Sequence, residues 1–197
     1  MAKCAVLLST LVAVSGEDAH WQHVADAPWS TRGHFGAALT DNGTMLVAGG
    51  MHTADNTHLN DVWISKDGRS WQQQAAAPWE GRHRHGLLQF QGCSYVLGGT
   101  TTRTNSTGDL EQWNFNDVWK SCDAGASWDM VTEKAPWSPR EGFGFTVVGD
   151  RMLIIGGTVG GTMGGVSEVW ASSDGQAWEM LKANDTAAWS PRYATTA

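Results

Sequence analysis

The chain has 197 residues, of which 17% are charged and 41% hydrophobic, and this composition argues against a disordered chain or a membrane-embedded bundle. Its formal net charge is −7 and it contains no run of lysines or arginines, so we predict no nucleic-acid partner. The 12 tryptophans stand against only 2 tyrosines, and together with 24 glycines they point to internal repeats.

The first 19 residues have the layout of a secretory signal peptide. Lys3 supplies a short basic start, residues 4–14 are apolar apart from Ser9 and Thr10, and small residues follow near residues 15–19. The apolar stretch is too short to span a bilayer. The alternative is a buried first strand or helix. We predict a signal peptide over residues 1–19, a secreted mature chain over residues 20–197, and no membrane span.

Three acceptor sequences for N-linked glycosylation fit a secreted chain. Each of them falls in a segment that we predict to be a loop. They begin at Asn42, Asn105 and Asn184.

The tryptophans recur with a long, nearly constant period. Three series have intervals of 50 to 58 residues, which is typical of propellers with one four-stranded sheet per repeat. The series are Trp21, Trp71, Trp128 and Trp178; Trp29, Trp79, Trp137 and Trp189; and Trp63, Trp119 and Trp170.

Each repeat contains the same features in the same order. An arginine precedes a first strand, a tight turn leads to an apolar second strand that ends in Gly-Gly, and a third strand and a tryptophan-initiated fourth strand follow. A strand that is apolar on both faces is buried on both faces. We predict an all-β partial propeller with about three four-stranded antiparallel blades over residues 32–74, 82–131 and 140–181. Residues 20–24 and 192–197 are predicted to form single terminal strands.

The second repeat is longer than the other two. The second glycine of the pair lies 20 residues before the third-strand tryptophan there, against 13 in the others (119 − 99, compared with 63 − 50 and 170 − 157). We predict that the seven extra residues form a long loop over residues 100–115, since repeat proteins vary in their loops.

The pattern of hydrophobic residues, Gly-Gly and spaced aromatic residues resembles the kelch repeat over residues 20–197. The chain departs from that pattern in one respect: the tyrosine expected in the third strand is tryptophan in every copy. The turns between the third and fourth strands also resemble the Asp-box of sialidases and related propellers. Their Ser-x-Asp cores are Ser65 and Asp67, Ser121 and Asp123, and Ser172 and Asp174.

Two readings of the Asp-box-like turns are open. Their oxygens can accept the N–H groups of the turn itself, which is a structural role, or they can bind calcium or a sugar. We expect the structural role.

The kelch resemblance implies that one face of the molecule binds a partner through the loops after the second and fourth strands. That face would carry the candidate binding residues Arg32, Arg82, Arg84, His85, Arg140 and Arg192. Alternatively, the repeated arginines brace neighbouring blades through exposed carbonyls. We favour bracing for the repeated arginines and binding for Arg84, which has no counterpart in the other repeats.

A metal site is the third possibility for this face. His83 and His85 are two residues apart, so on a strand they would share a face and could chelate a metal. The sequence shows no third ligand at a convincing spacing. We predict no metal and no cofactor.

Two propeller enzymes give the alternative function. A copper oxidase similar to galactose oxidase would need paired tyrosines with histidines, and this chain has only Tyr95 and Tyr193. A sialidase-like enzyme would need an arginine cluster, a tyrosine with a glutamate and a further acid, of which Arg140, Glu141 and Tyr193 are the nearest candidates. Both sets are incomplete. We predict a secreted binding module for a protein or glycan, with a fragment of a propeller enzyme as the alternative.

Three blades are fewer than a closed propeller needs. We therefore expect a fragment, a truncated sequence, or a piece that assembles with others through exposed strand edges.

A disulfide is predicted between Cys93 and Cys122, the two cysteines that remain once the signal peptide removes Cys4. If Gly99 lies opposite Asn116, paired residue numbers sum to 215, which also places Cys93 opposite Cys122 (93 + 122). The alternative is two buried free thiols, with the register displaced by one residue.

Overall fold

The computed structural model describes residues 22–160, 165–183 and 189–193. Within those ranges the protein consists of 16 β-strands joined by turns, and no helix is present. It follows that no described segment forms an apolar helix long enough to cross a membrane. The predicted signal peptide over residues 1–19 and the acceptor Asn184 lie outside the described residues.

Three four-stranded antiparallel sheets follow one another along the chain. The first contains β2 (Gly36–Leu39), β3 (Met45–Ala48), β5 (Val62–Ser65) and β6 (Trp71–Gln73). The second contains β7 (Gly86–Phe90), β8 (Cys93–Thr104), β9 (Leu110–Ser121) and β10 (Asp129–Thr132). The third contains β12 (Gly144–Val148), β13 (Arg151–Ile155), β15 (Val169–Ser172) and β16 (Glu179–Lys182).

The sheets span residues 36–73, 86–132 and 144–182, against the predicted ranges 32–74, 82–131 and 140–181, so the second and third end one residue later than predicted. The strands of each sheet lie side by side in chain order. This order results when short connections join successive antiparallel strands.

The Gly-Gly pairs turn the second strand away from its sheet. Gly49 and Gly50 have φ values of +63° and +98°, a region that L side chains rarely adopt. After them the chain forms β4 (Met51–His52), which pairs with β1 (Arg32–Gly33). The third repeat does the same with β14 (Thr158–Val159) and β11 (Arg140–Glu141).

Close packing also requires the second glycine of each pair. A Cβ at Gly50 would lie 2.8 Å from the Cβ of Phe35, and one at Gly157 would lie 2.8 Å from that of Phe143. The corresponding distance from Gly99 to His85 is 2.6 Å. His85 therefore occupies the place that phenylalanine holds in the other two repeats.

The second repeat corrects our prediction of a long loop. β8 and β9 continue past Gly99 as a two-stranded hairpin, paired from Thr100 with Asn114 to Thr104 with Leu110. Asn105 closes the turn, because its Oδ1 accepts hydrogen bonds from the backbone N–H groups of Thr107 and Asp109. The added residues thus form strand, since β-branched threonines favour an extended backbone.

The disulfide joins Cys93 and Cys122, the pair predicted from the sequence. The register near it has the predicted sum, as Ser94 pairs with Ser121. The assumption about Gly99 was wrong, because a register shift after Leu97 places Gly99 opposite Phe115 rather than Asn116. This shift lies farther along the same two strands, after the pairs from Ser94 to Leu97, and leaves the pairing of the cysteines intact.

Two hydrophobic clusters fill the spaces between the sheets. Leu46 and Val62 of the first sheet pack with Leu87 and Val96 of the second. The second cluster joins the second and third sheets and includes Tyr95 of the former and Ile154 of the latter.

One tryptophan pair accompanies each of the three sheets. In each pair a tryptophan that precedes a sheet packs edge-on against the tryptophan at or just before that sheet's fourth strand, with ring centroids 4.8–6.1 Å apart. This edge-to-face geometry is the one aromatic rings prefer. The pairs are Trp29 with Trp71, Trp79 with Trp128, and Trp137 with Trp178.

The predicted terminal strands fall largely outside the described residues. Residues 22–24 are not in a strand, and residues 20, 21 and 194–197 lie outside the described ranges. Arg192 forms a single antiparallel bridge with Val166, and its carbonyl accepts a hydrogen bond from the N–H of Gly157.

Candidate functional site

Three of the repeated arginines form one arrangement, which we call the arginine clamp. In each case the guanidinium donates to the carbonyl of the first glycine of the Gly-Gly pair and binds a carboxylate at the third strand at 2.5–2.8 Å. The clamps are Arg32 with Gly49 and Asp61, Arg82 with Gly98 and Asp117, and Arg140 with Gly156 and Glu168.

The clamp gives these residues the bracing role that we favoured, and excludes the alternative that they bind a partner. Arg32, Arg82 and Arg140 are only 4%, 1% and 0% exposed, so they cannot form a binding surface. Their partners lie within the same repeat, so they brace one sheet internally rather than two neighbouring sheets. The sequence prediction missed the carboxylates, although each stands two residues before a third-strand tryptophan.

The same carboxylates explain why tryptophan replaces the expected tyrosine. The indole N–H groups of Trp63, Trp119 and Trp170 donate to Asp61, Asp117 and Glu168, respectively. Burial would raise the pKa of Asp61, but the hydrogen bonds from Arg32 and Trp63 outweigh it and hold that pKa below its usual value. The third-strand tryptophan is therefore a donor to the clamp.

Arg192, the fourth repeated arginine, differs from the other three because it is exposed. Its Nε donates to the carbonyl of Ser190 at 3.2 Å. The backbone of Arg192 lies beside the Gly-Gly pair of the third repeat, since its carbonyl accepts a hydrogen bond from the N–H of Gly157.

Arg84 is, with Arg192, one of the two candidates that the structure leaves exposed. Its side chain is 44% exposed, and one guanidinium nitrogen lies 3.2 Å from Oε2 of Glu141, whose side chain is buried. Gln112 of the hairpin donates to Oε1 of the same glutamate at 2.8 Å. Glu141 therefore ties Arg84 to the hairpin and holds both in place.

His85 is buried rather than available to a ligand, which corrects its predicted binding role. It is 5% exposed, and neither ring nitrogen has a hydrogen-bond partner. Burial lowers the pKa of His85 to about 3, so the ring is neutral at neutral pH. His83 and His85 do not share the face of a strand as predicted, because Arg84 between them has a φ of +53°, which is not an extended conformation. Within the described ranges no group of three or more His, Cys, Asp or Glu side chains is arranged to hold a metal.

A cleft of about 730 Å³ opens beside Arg84. The rings of His83 and His58 lie 4.8 Å apart between centroids, and His34 lies 5.9 Å from His83. Burial and the neighbouring positive groups lower the pKa of His83 to about 4, and burial also lowers that of His58. The cleft is lined by His58, His83, Arg84, Thr102, Gln112 and Glu141, among others.

The cleft offers exposed polar groups to a ligand. Arg84 and Gln112 are exposed, and Arg84 makes one ion-pair contact. Nε2 of His58 and Nδ1 of His83 lie buried beside the cleft without a hydrogen-bond partner. The cleft can therefore bind a polar ligand through its exposed hydrogen-bonding groups.

The turns that resemble Asp-boxes use their polar oxygens internally. Oδ1 of Asp67 accepts the backbone N–H groups of Arg69 and Ser70, and Ser65 accepts that of Gly68. Asp123 and Asp174 accept backbone N–H groups in the same way. These contacts account for the Ser and Asp residues by the geometry of the turn.

The residues considered for enzymatic chemistry differ in exposure and in the contacts that they make. Tyr95 is 2% exposed and packs against Phe90 in the core, whereas Tyr193 is 49% exposed near Arg192. Arg140 and Glu141 are buried, the former within its clamp.

Two predicted glycosylation acceptors lie at exposed turns. Asn42 is in the turn between β2 and β3, and Asn105 is at the tip of the hairpin. Both asparagines use Oδ1 to accept a hydrogen bond from the threonine hydroxyl two residues later, at 2.7 Å.

Comparison with known proteins identifies the fold only. No family model and no curated protein matches the chain. The solved structure of YjhT is similar with a TM-score of 0.68 and 20% sequence identity over 86% of this chain. This chain spans 57% of the YjhT chain. At this level of identity the similarity supports a shared all-β fold and carries no function.

Proposed function

We propose that the chain is a secreted binding module built on part of a kelch-type β-propeller, and that it binds a protein or glycan in the cleft beside Arg84. Three consecutive four-stranded sheets with repeated Gly-Gly pairs, arginine clamps and tryptophan pairs support the propeller. Secretion is supported by the signal-peptide-like start, the disulfide and the exposed asparagine acceptors.

The observation that carries the binding role is the polarity of the cleft. Arg84 is exposed and held by a buried glutamate, and two imidazole nitrogens beside it have no partner. A buried or half-buried polar atom without a partner is costly unless water or a ligand satisfies it. Exposed polar groups that converge in one concave site, here those of Arg84 and Gln112, are typical of ligand recognition.

The test is a binding screen of the purified chain against a glycan array and a peptide library, repeated with two variants. Arg84→Ala removes the exposed cation, and we expect it to weaken binding by about tenfold. Arg69→Ala is the matched control, since Arg69 is exposed on a turn outside the cleft and should leave binding unchanged. Equal binding by both variants would place the ligand elsewhere.

A further inference from the structure

One strand edge in the cleft has no strand beside it. Thr100 of β8 exchanges two backbone hydrogen bonds with His83, at 2.9 and 3.0 Å. Beyond Thr100, within the part of the chain that the structure describes, no strand pairs with this edge, while the other edge of β8 remains paired with β9 to Thr104.

The chain before His83 turns away from this edge. In the register of β7 and β8, Gly81 would stand opposite Thr102 (86 + 97 = 81 + 102). Instead the N–H of Arg82 donates to the carbonyl of Leu59, and Gly81 packs against the backbone of His58. The space that a continued strand would fill is part of the cleft, which both Gly81 and Thr102 line.

The direction of the free backbone groups follows from strand geometry. Backbone N–H and C=O groups point to the same side at every second residue of a strand. Because those of Thr100 point towards His83, those of Thr102 and Thr104 point to the same side, and both residues are exposed.

We propose that an extended peptide segment of a partner protein adds to this edge as a strand and pairs with Thr102 and Thr104. This inference rests on the proposed binding function and identifies its ligand class. An exposed edge is a template for strand addition, in which backbone hydrogen bonds hold the peptide and alternate side chains give specificity.

The hairpin is held in place before any peptide arrives. Arg103 forms an ion pair with Glu80, and its guanidinium stacks 4.3 Å from the ring centroid of Trp113. Gln112 holds the other strand to Glu141. An edge that is already ordered costs less entropy to bind.

The charge of the cleft favours a neutral or basic peptide. Its charged lining residues are Asp55, Glu80, Glu141 and Arg84. Glu80 is balanced by Arg103 and Glu141 by Arg84, which leaves the carboxylate of Asp55 in excess. The histidines do not offset this excess at neutral pH, since their pKa values are lowered. Leu110, which is 78% exposed at the outer end of the cleft, offers an apolar contact for one peptide side chain.

The experiment selects ligands from a library of random heptapeptides displayed on phage and measures the selected peptides, made synthetically, by fluorescence anisotropy. Each peptide is then N-methylated at one residue at a time. We expect a period of two, in which methylation of residues whose N–H faces β8 weakens binding by about tenfold and methylation of their neighbours has little effect.

Two protein variants complete the test. Thr102→Pro removes only the outward N–H group, since the backbone of Thr102 is not bonded to β9, and we expect a loss of about tenfold in affinity. Thr102→Ala keeps that N–H group and should bind as the wild type does. If Thr102→Pro disturbs the hairpin, the N-methylation pattern still tests the proposal, because it leaves the protein unchanged.

Several outcomes would overturn the strand addition. One is a ligand, such as a glycan from the array, whose binding is weakened by Arg84→Ala but not by Thr102→Pro or by N-methylation. That result would retain the cleft as a binding site and exclude strand addition. Another is a library that yields no peptide with a Kd below about 100 µM. Failure of the proposed function is distinct, because then neither Arg84 nor Thr102 variants would affect any ligand.

Discussion

Arg82 is the most fully engaged of the clamped arginines, because its guanidinium also lies 4.0 Å from the centroid of the Phe115 ring. A buried ion pair contributes little in net terms, but loss of one partner leaves the other charge buried and unpaired. In this clamp the residue left behind would be Asp117, which is 14% exposed. Removal of one partner should therefore destabilise the fold by more than the intact clamp stabilises it.

We predict that Arg82→Met lowers the free energy of unfolding by about 3–5 kcal/mol. Arg151→Met is the matched control: it removes an exposed pair with Glu179, whose side chains are 47% and 67% exposed, and should cost less than about 1 kcal/mol. Urea denaturation followed by tryptophan fluorescence measures both. Similar losses in the two variants would contradict a structural role for the clamp.

His83 and His85 make the protein sensitive to mild acid. Their pKa values are about 4 and about 3 in the folded chain, against 6.5 for an ordinary histidine. The unfolded chain therefore binds these protons at a higher pH, and the free energy of unfolding falls as pH falls below about 6.5. Each histidine contributes about 1.4 kcal/mol per pH unit until its folded pKa is reached.

We predict that His85→Gln removes one of the protons whose binding favours the unfolded chain. Between pH 6.5 and pH 5 the free energy of unfolding should therefore fall by about 1–2 kcal/mol less in this variant than in the wild type. Denaturation curves at both pH values measure the difference. His23→Gln, at an exposed position, is the control and should keep the wild-type slope. A variant at position 85 with an unchanged slope would show that His85 does not titrate as its burial implies.

Among the elements, the sheets were predictable and the hairpin was not. Apolar second strands that end in Gly-Gly recur at intervals of 49 and 58 residues (99 − 50 and 157 − 99). Each pair has the positive φ values that only glycine adopts readily. Residues 100–115 lack an apolar alternation, because both faces of the projecting hairpin are largely exposed. Without a buried face, the hydrophobic pattern carries no signal of strand.

The site was predictable only in part for a related reason. Arg84 stood out because it interrupts the repeat, and the structure places it at the cleft. The clamps depend on pairs such as Arg82 and Asp117, 35 residues apart, and no local pattern joins them. His85 was misassigned because histidine in a phenylalanine position looks polar in sequence and is buried in the fold.

The disulfide links the second and third strands of the second sheet. For a sequence separation of 29 residues, the chain-entropy model gives a stabilisation of about 3–4 kcal/mol. We predict a loss of this size in the Cys93→Ser and Cys122→Ser double variant, measured by urea denaturation against the oxidised parent. Both chains would carry Cys4→Ser, so that thiol titration of the denatured, unreduced parent should detect none. Two reactive thiols per chain would contradict the bridge.

At the scale of the whole molecule, the third sheet exposes apolar side chains on both of its outer strands. Val148 on β12 is 59% exposed, and Leu181 on β16 is 43% exposed. Exposed apolar surface of this kind favours association. Together with the sheet edges that no other strand of residues 22–160, 165–183 or 189–193 covers, it supports the self-association that we expect of the chain.

We predict that the chain forms oligomers whose fraction rises with protein concentration, as measured by sedimentation velocity. Val148→Lys with Leu181→Lys should shift the distribution towards monomer, because two apolar contacts worth about 1.5 kcal/mol or more each are lost. The control is Lys66→Glu, an exposed change on a turn of the first sheet. A single monomeric species at every concentration would contradict the prediction.

Each arginine clamp closes within one repeat, and successive repeats meet through apolar side chains and backbone hydrogen bonds. A duplication or deletion of one whole repeat in the gene would therefore leave no clamp charge without its partner. Changes in repeat number carry no electrostatic penalty from the clamps, and what has to match is the junction, which between the second and third repeats includes the contacts of Glu141 with Arg84 and Gln112. The clamp thus gives each repeat the independence that a unit of evolutionary duplication needs.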